Sequence, residues 1–205
     1  MIAFEDIKIY LPKYLSPHAE AELFSELRSF PDNLDSRFYT FALQEQLAIF
    51  QGDGIRNLLV VNLPDHKIAP ASCLVMSNTC DIALENRRLF HSSLCYAPIF
   101  SLSKYESMVV ERQLKTEEAR AQHLSAIRSQ KVTQIFYLPK GGTLESEGIV
   151  FLDRICHAAN ESVDRSSLPQ SRLFSLSNYG AYLFLLKLSI HFTRLNDQVD
   201  RTVAA

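Results

Sequence analysis

The chain lacks the features that mark membrane proteins, secreted disulfide scaffolds and nucleic-acid adhesives. No run reaches the length of a membrane span: the longest apolar stretch, Tyr179 to Phe192, is too short and contains Lys187. The N-terminal segment MIAFEDIKIY has neither the basic region nor the apolar core of a secretory signal. Four cysteines in 205 residues do not make a disulfide framework, and a reducing cytoplasm is the simplest setting. Charge is nearly balanced, at a formal −2. Proteins that adhere non-specifically to phosphate backbones carry a large positive excess, so nucleic-acid binding would need a local basic patch. Arg87-Arg88 and Lys140 are its candidate contributors. Repeats and low-complexity tracts are absent. Gly141-Gly142 lacks the following Lys-Ser or Lys-Thr of a phosphate loop.

What is present is ordinary for one globular domain with a real core: 47% hydrophobic and 21% charged residues. Residues 1–15 read as an extended lead-in. Ser16-Pro17 then starts a helix, with Leu23, Phe24, Leu27 and Phe30 on one face and Pro31 at its end. Phe38 to Phe50 reads as helical or mixed, and Gly52-Asp53-Gly54 breaks it. Strands are expected near 55–63, 73–77, 94–102, 133–138 and 148–155, the last two as a hairpin around Gly141-Gly142. Pro64 to Ser72 and residues 157–172 read as loops. Residues 105–130, with a sparse stripe of Val110, Leu114, Ala121, Leu124 and Ile127, read as a largely solvated helix. Tyr179 to Leu195 is apolar almost all round, which calls for burial or a partner subunit. This pattern predicts an α+β fold with a mainly β core, a small barrel carrying an N-terminal, an inserted and a C-terminal helix.

The densest polar cluster is Ser77-Asn78-Thr79-Cys80-Asp81, at the end of an apolar strand. Side chains at strand ends escape the sheet, so this segment has the character of a site. The same residue types also hydrogen-bond local backbone, so a capped turn fits equally well. Cys80 beside Asp81 makes a poor nucleophile, because a neighbouring carboxylate disfavours the thiolate. Cys73, Cys80, His91 and Cys95 lack the short knuckle spacing of zinc sites, so no metal, cofactor or disulfide is expected. Arg154 stands out as a charge in an apolar strand, able to meet a phosphate or to form a surface ion pair.

The order of these segments resembles the PemK/MazF-like toxins. Gly52-Asp53-Gly54-Ile55 with the strand to Leu63, then Leu74-Val75-Met76-Ser77-Asn78, Tyr96-Ala97-Pro98-Ile99, Gly148 to Ile155, and Arg172-Leu173 before the last helix are similar to the family's successive elements. The resemblance covers roughly residues 51–104 and 132–195 of a single domain; residues 1–50 form a helical extension and 105–131 a helical insertion. Ser77-Asn78-Thr79-Cys80-Asp81 is also similar to an S-x-x-C-D signature in bacterial PemK-like proteins, some of them linked to phage defence. The resemblance implies an SH3-like barrel, often a homodimer, a toxin–antitoxin or defence setting, and metal-independent RNA cleavage. That chemistry needs a base to activate a ribose hydroxyl and a cation or donors to stabilise the charged intermediate. Two positions depart from the family pattern. The loop PDHKIAPAS has no arginine, leaving Lys67 as its cation, and Phe100 follows Ile99 where the family has a hydroxyl, with Ser101 one step on. The implied catalytic group is therefore Lys67, Ser77, Asp81 and Ser101, with Asn78, Thr79, Cys80 and Arg154 contacting RNA or a partner. The alternative is a non-catalytic interaction module whose partner is an antitoxin-like protein or a defence-complex subunit.

Overall fold

The computed structural model describes residues 17–86 and 89–193. The expected lead-in, the Ser16 cap, Arg87-Arg88 and the end of the last helix lie outside them. Helix α1 (Pro17–Arg28) leads into a short turn and strand β1 (Tyr39–Thr40). The long hairpin β2 (Gly54–Asn62) and β3 (Lys67–Val75) follows, then the single turn α2 (Thr79–Ile82) and β4 (Ser93–Ser101). The insertion comprises α3 (Leu102–Tyr105), a wider π turn over Glu106–Val110, α4 (Glu111–Gln113) and α5 (Glu117–Arg128). Strands β5 (Ile135–Leu138), β6 (Gly148–Phe151) and β7 (Cys156–Ala159), helix α6 (Leu168–Ser171), strand β8 (Arg172–Leu176) and helix α7 (Asn178–Thr193) complete the described chain.

All strand pairs are antiparallel, in the order β1-β8-β2-β3-β4-β6-β5, with β7 added beside β4. The mixed helix-and-sheet class matches the expectation; the eight-stranded sheet itself is unclosed. β4 organises it. On one edge Tyr96 to Pro98 pairs with β3, while the other edge is divided between β7, along Ser93 to Tyr96, and β6, along Ile99 to Ser101. Strand alternation sends Leu74 into one apolar cluster with Phe38, Phe136, Phe174 and Phe184, and its neighbours Cys73 and Val75 into a second with Ile55, Leu94 and Tyr96.

Several boundaries differ from the sequence reading, each for a physical reason. The stretch after Pro64 is not a loop to Ser72: β3 begins at Lys67 and runs through Pro70. Pro70 faces Leu59, and the missing N–H is harmless because this pair points its backbone groups away from the hairpin. The strand expected to reach Ile155 stops at Phe151, so Arg154 lies in the following turn. The supposed loop 157–172 contains most of β7 and all of α6, and β8 then follows where no strand was expected. Phe38 to Phe50 is mostly irregular rather than helical. The insertion is two helical segments, broken before Thr116, whose hydroxyl accepts from the Ala119 N–H at 3.2 Å. Its stripe is not solvated: Val110, Leu124 and Ile127 are buried with Tyr137 and Ile149. Helix α7 buries Tyr179, Tyr182, Leu183 and Phe184, whereas Ile190 and Phe192 near its end are exposed. Gly180 allows its backbone to approach the Phe38 carbonyl, where any side chain would collide.

One buried ion pair ties three segments together. Arg172, first in β8, and Asp53, just before β2, are both fully enclosed, with Nε 3.1 Å from Oδ2. The remaining Arg172 nitrogens donate to the carbonyls of Leu43, Gln44, Gln46 and Ala48. Asp53 also accepts from the Ser175 hydroxyl at 2.6 Å and the Phe50 N–H at 2.9 Å. Burial pushes its carboxyl above the usual range, against the pull of Ser175, Phe50 and Arg172.

Removing one partner of this pair leaves the other charge uncompensated. Arg172→Met should cost ~3–5 kcal/mol in denaturant unfolding, and the double change with Asp53→Leu should cost clearly less than the two single effects added. Strict additivity would show that the pair is not coupled. Lys187 in α7 has the opposite balance: burial pushes its ammonium down to about 8 from an ordinary lysine value near ~10.4. The folded state then binds fewer protons than the unfolded state between these values, so the penalty is complete below the folded value and fades as pH rises. Lys187→Met should therefore stabilise at pH ~7 by roughly 2–3 kcal/mol, and this advantage should shrink towards pH ~10. Urea unfolding of both proteins across that range measures it; a pH-independent difference would contradict it.

Candidate functional site

Helix α2 forms because Asn78 caps it: its side-chain oxygen accepts from the Cys80 N–H at 2.9 Å. The neighbouring polar groups are also engaged with backbone. Ser77 Oγ accepts from the Cys95 N–H at 2.7 Å and donates to the Ser93 carbonyl at 3.4 Å. Thr79 Oγ1 accepts from the Gln51 N–H at 3.0 Å, and Asn86 donates to the Cys80 carbonyl at 2.7 Å. The cluster thus locks the β3–β4 connection to the loop before β2, as a capped turn does. Cys80 is exposed. Cys73 and Cys95 belong to different apolar clusters, while His91 pairs with Glu161 at 3.2 Å.

The remaining predicted residues lie elsewhere. Lys67 opens β3 at the hairpin tip, opposite Asn62 and eight residues from Val75, about 26 Å along an extended strand. Ser101 ends β4, six residues beyond the Cys95 amide that Ser77 holds, about 20 Å away by the same measure. Its hydroxyl caps α3, accepting from Lys104 N at 3.4 Å and sharing a hydrogen bond with Ser103 at 2.8 Å. Arg154 is exposed and stacks its guanidinium 4.1 Å from the Phe151 ring centre and 5.4 Å from that of Phe100. Tyr105 meets the same Phe151 ring at 5.8 Å and bonds His123 Nε2 at 3.0 Å. Burial raises the Tyr105 hydroxyl, partly offset by Arg154. Lys67, the Ser77–Asp81 turn and Ser101 therefore occupy three separate places.

A different region has the form of a binding site. Between Ile55 and Leu58 the β2–β3 register shifts, leaving Arg56 and Asn57 as a bulge, with Asn57 in the left-handed region at φ 63°. β2 pairs with β8 only through Gly54 and Ile55, so from Arg56 onward its outer edge is paired with no strand among the described residues. Leu59 and Val61 direct their backbone groups to that edge. Tyr96 OH donates to the Leu59 carbonyl at 2.6 Å, and the Cys156 thiol approaches the Val61 carbonyl at 4.0 Å. A cleft of roughly 770 Å³ opens here, bounded by Arg56 to Leu59 on one side and Ala158, Val163 and Ser167 on the other. Beside it the hairpin exposes an apolar face, with Leu59 57%, Val61 45%, Leu63 70% and Ile68 64% exposed. Sequence reasoning missed this site, although two polar residues interrupting the apolar run IRNLLVVNL carried the signal of a bulge.

No family model and no curated protein matches the chain.

If the turn is a structural tie, Thr79→Val should lower stability by ~1–2 kcal/mol, because the Gln51 N–H loses its acceptor. Lys67→Ala at the exposed hairpin tip should change it by less than ~0.5 kcal/mol. Thermal or urea unfolding decides, and an unaffected Thr79→Val protein would count against the structural role.

Proposed function

We propose that this chain is a PemK/MazF-like domain of bacterial toxin or defence type that acts as a protein-interaction module. In this reading it receives an extended segment of a partner subunit in the cleft beside β2 and does not cleave RNA. The segments that resemble the family fall in order on β2, the end of β3, β4 and β6, which supports the kinship. The observation that carries the functional reading is the open outer edge of β2. An exposed edge offers main-chain hydrogen bonds to an added strand, and pockets beside it discriminate side chains. Apolar residues on the adjoining hairpin suit a protein surface better than a phosphate backbone. Against ribonuclease chemistry stands the separation of Lys67, Asp81 and Ser101, since base and cation must reach one phosphate together.

RNA recognition without cleavage is the second reading. It is favoured by one observation, the stack of Arg154 on Phe151 and Phe100 beside Tyr105, a pairing of cation and aromatic rings of the kind single strands use.

Expression in bacteria, scoring growth and RNA integrity, separates these readings from the nuclease. The expected result is neither growth arrest nor RNA loss; arrest with RNA decay, relieved by Lys67→Ala and by Asp81→Asn, would overturn the module. For the module itself, linear peptides selected on the wild type should lose at least tenfold in affinity, ~1.4 kcal/mol, with Leu59→Pro. That change removes an outward N–H and spares the bonds to β3. Retained peptide affinity, with RNA binding sensitive to Arg154→Ala, would favour the second reading.

A further inference from the structure

Helices α1 and α7 and the end of α5 enclose an apolar groove of roughly 220 Å³, lined by Leu27, Phe30, Tyr182, Leu183, Leu186 and Ile190. One charged group, Lys187, sits in its wall and is only 6% exposed. Its ammonium donates to the Gln130 carbonyl, and among the described residues no carboxylate pairs with it. An ammonium has three N–H donors, and a buried cation without a counter-charge is costly.

The acceptor it does have is held with care. α5 ends in a Schellman turn, with Gln130 N–H bonded to Ile127 O at 2.9 Å and Lys131 N–H to Ala126 O at 2.8 Å. Gln130 occupies the left-handed position, φ 58°, where glycine is usual. Its side chain secures it there, bonding Tyr137 O at 2.7 Å and Tyr137 N at 3.1 Å. One turn beyond Lys187 on α7, His191 Nδ1 is buried with no hydrogen-bond partner. Residues four apart share a helix face, so His191 lies on the face of α7 that carries Lys187, the polar group in the groove wall.

We propose that this groove binds an apolar ligand ending in a carboxylate, such as a medium-chain aliphatic acid, with its anion against Lys187 and its chain along Leu27, Phe30, Leu186 and Ile190. The anion supplies the missing counter-charge and acceptors, and the chain covers exposed apolar surface. A groove of roughly 220 Å³ suits a short chain rather than a long lipid. At neutral pH the ammonium is protonated, since burial brings it down only to about 8. This site is remote in sequence from the cleft beside β2 and does not depend on the function proposed for it.

The test uses the full chain with octanoate, 1-octanol and octylamine as probes, by calorimetry and by NMR of the lysine ε-methylene signals. Octanoate should bind the wild type and shift one lysine signal. Lys187→Met should weaken octanoate at least ~10-fold, as loss of one partner of a buried charged pair does, while leaving 1-octanol unchanged. Octylamine should bind no better than 1-octanol. No octanoate binding to the wild type at about 5 mM, a free energy of only ~3 kcal/mol, would overturn the proposal. Equal octanoate affinity in the two proteins would also overturn it. If Lys187→Met failed to fold, the wild-type comparison of the three probes would still decide: equal affinities would refute a carboxylate site.

Discussion

The enclosed pair of Arg172 and Asp53 is the constraint from which the rest of the sheet follows. Through it the first residue of β8 holds the residue before β2, and four further carbonyls fix the irregular chain between β1 and β2. A loop with so little regular structure would otherwise leave its carbonyls without partners in the interior. The arginine suits this task because its planar fork presents five donors and remains charged. The same connection sets where β8 stops pairing with β2. Two residues are joined, and the strand then bulges away at Arg56 and Asn57.

That departure links the core to the functional reading. Beyond the bulge β2 pairs with β3 alone among the described residues, and its outer edge turns towards Tyr96 of β4 and Cys156 of β7 without pairing to either strand. Pro70 removes a donor from β3, a common way to blunt an edge, whereas β2 has no such protection. Several of the residues that the family resemblance implies for catalysis or for contacts have other occupations. Ser77 and Ser101 of the catalytic group, and Asn78 and Thr79 of the contacting group, hold backbone amides, Ser101 as the cap of the insertion. A geometry that commits these side chains to fold stability supports recognition more than chemistry.

Much of the framework was legible in the sequence, and the exceptions have specific causes. Alternation marked the cores of β2, β4 and β6, and the Gly141-Gly142 turn marked the hairpin of β5 and β6. β8 was hidden because a buried arginine opens it, and a charge normally reads as surface. The first half of β3 was hidden by a proline that pairs without donating. For the site, sequence alone showed that Ser77 to Asp81 suited either a turn or a groove. Only the partners of the side-chain oxygens distinguish these, and those of Ser77 and Thr79, namely Gln51, Ser93 and Cys95, are distant in the chain. The groove at Lys187 was equally hidden, since in the sequence this lysine marks only a break in an apolar run.

Amide hydrogen exchange on the isolated protein tests the open-edge account most directly. The account predicts that the Leu59 and Val61 N–H groups exchange fast, while Val60 between them, bonded to β3, exchanges at least ~100-fold more slowly, on the scale by which local opening separates exposed from paired amides. Equal protection at all three positions would mean that the edge of β2 is already occupied, and would contradict the account.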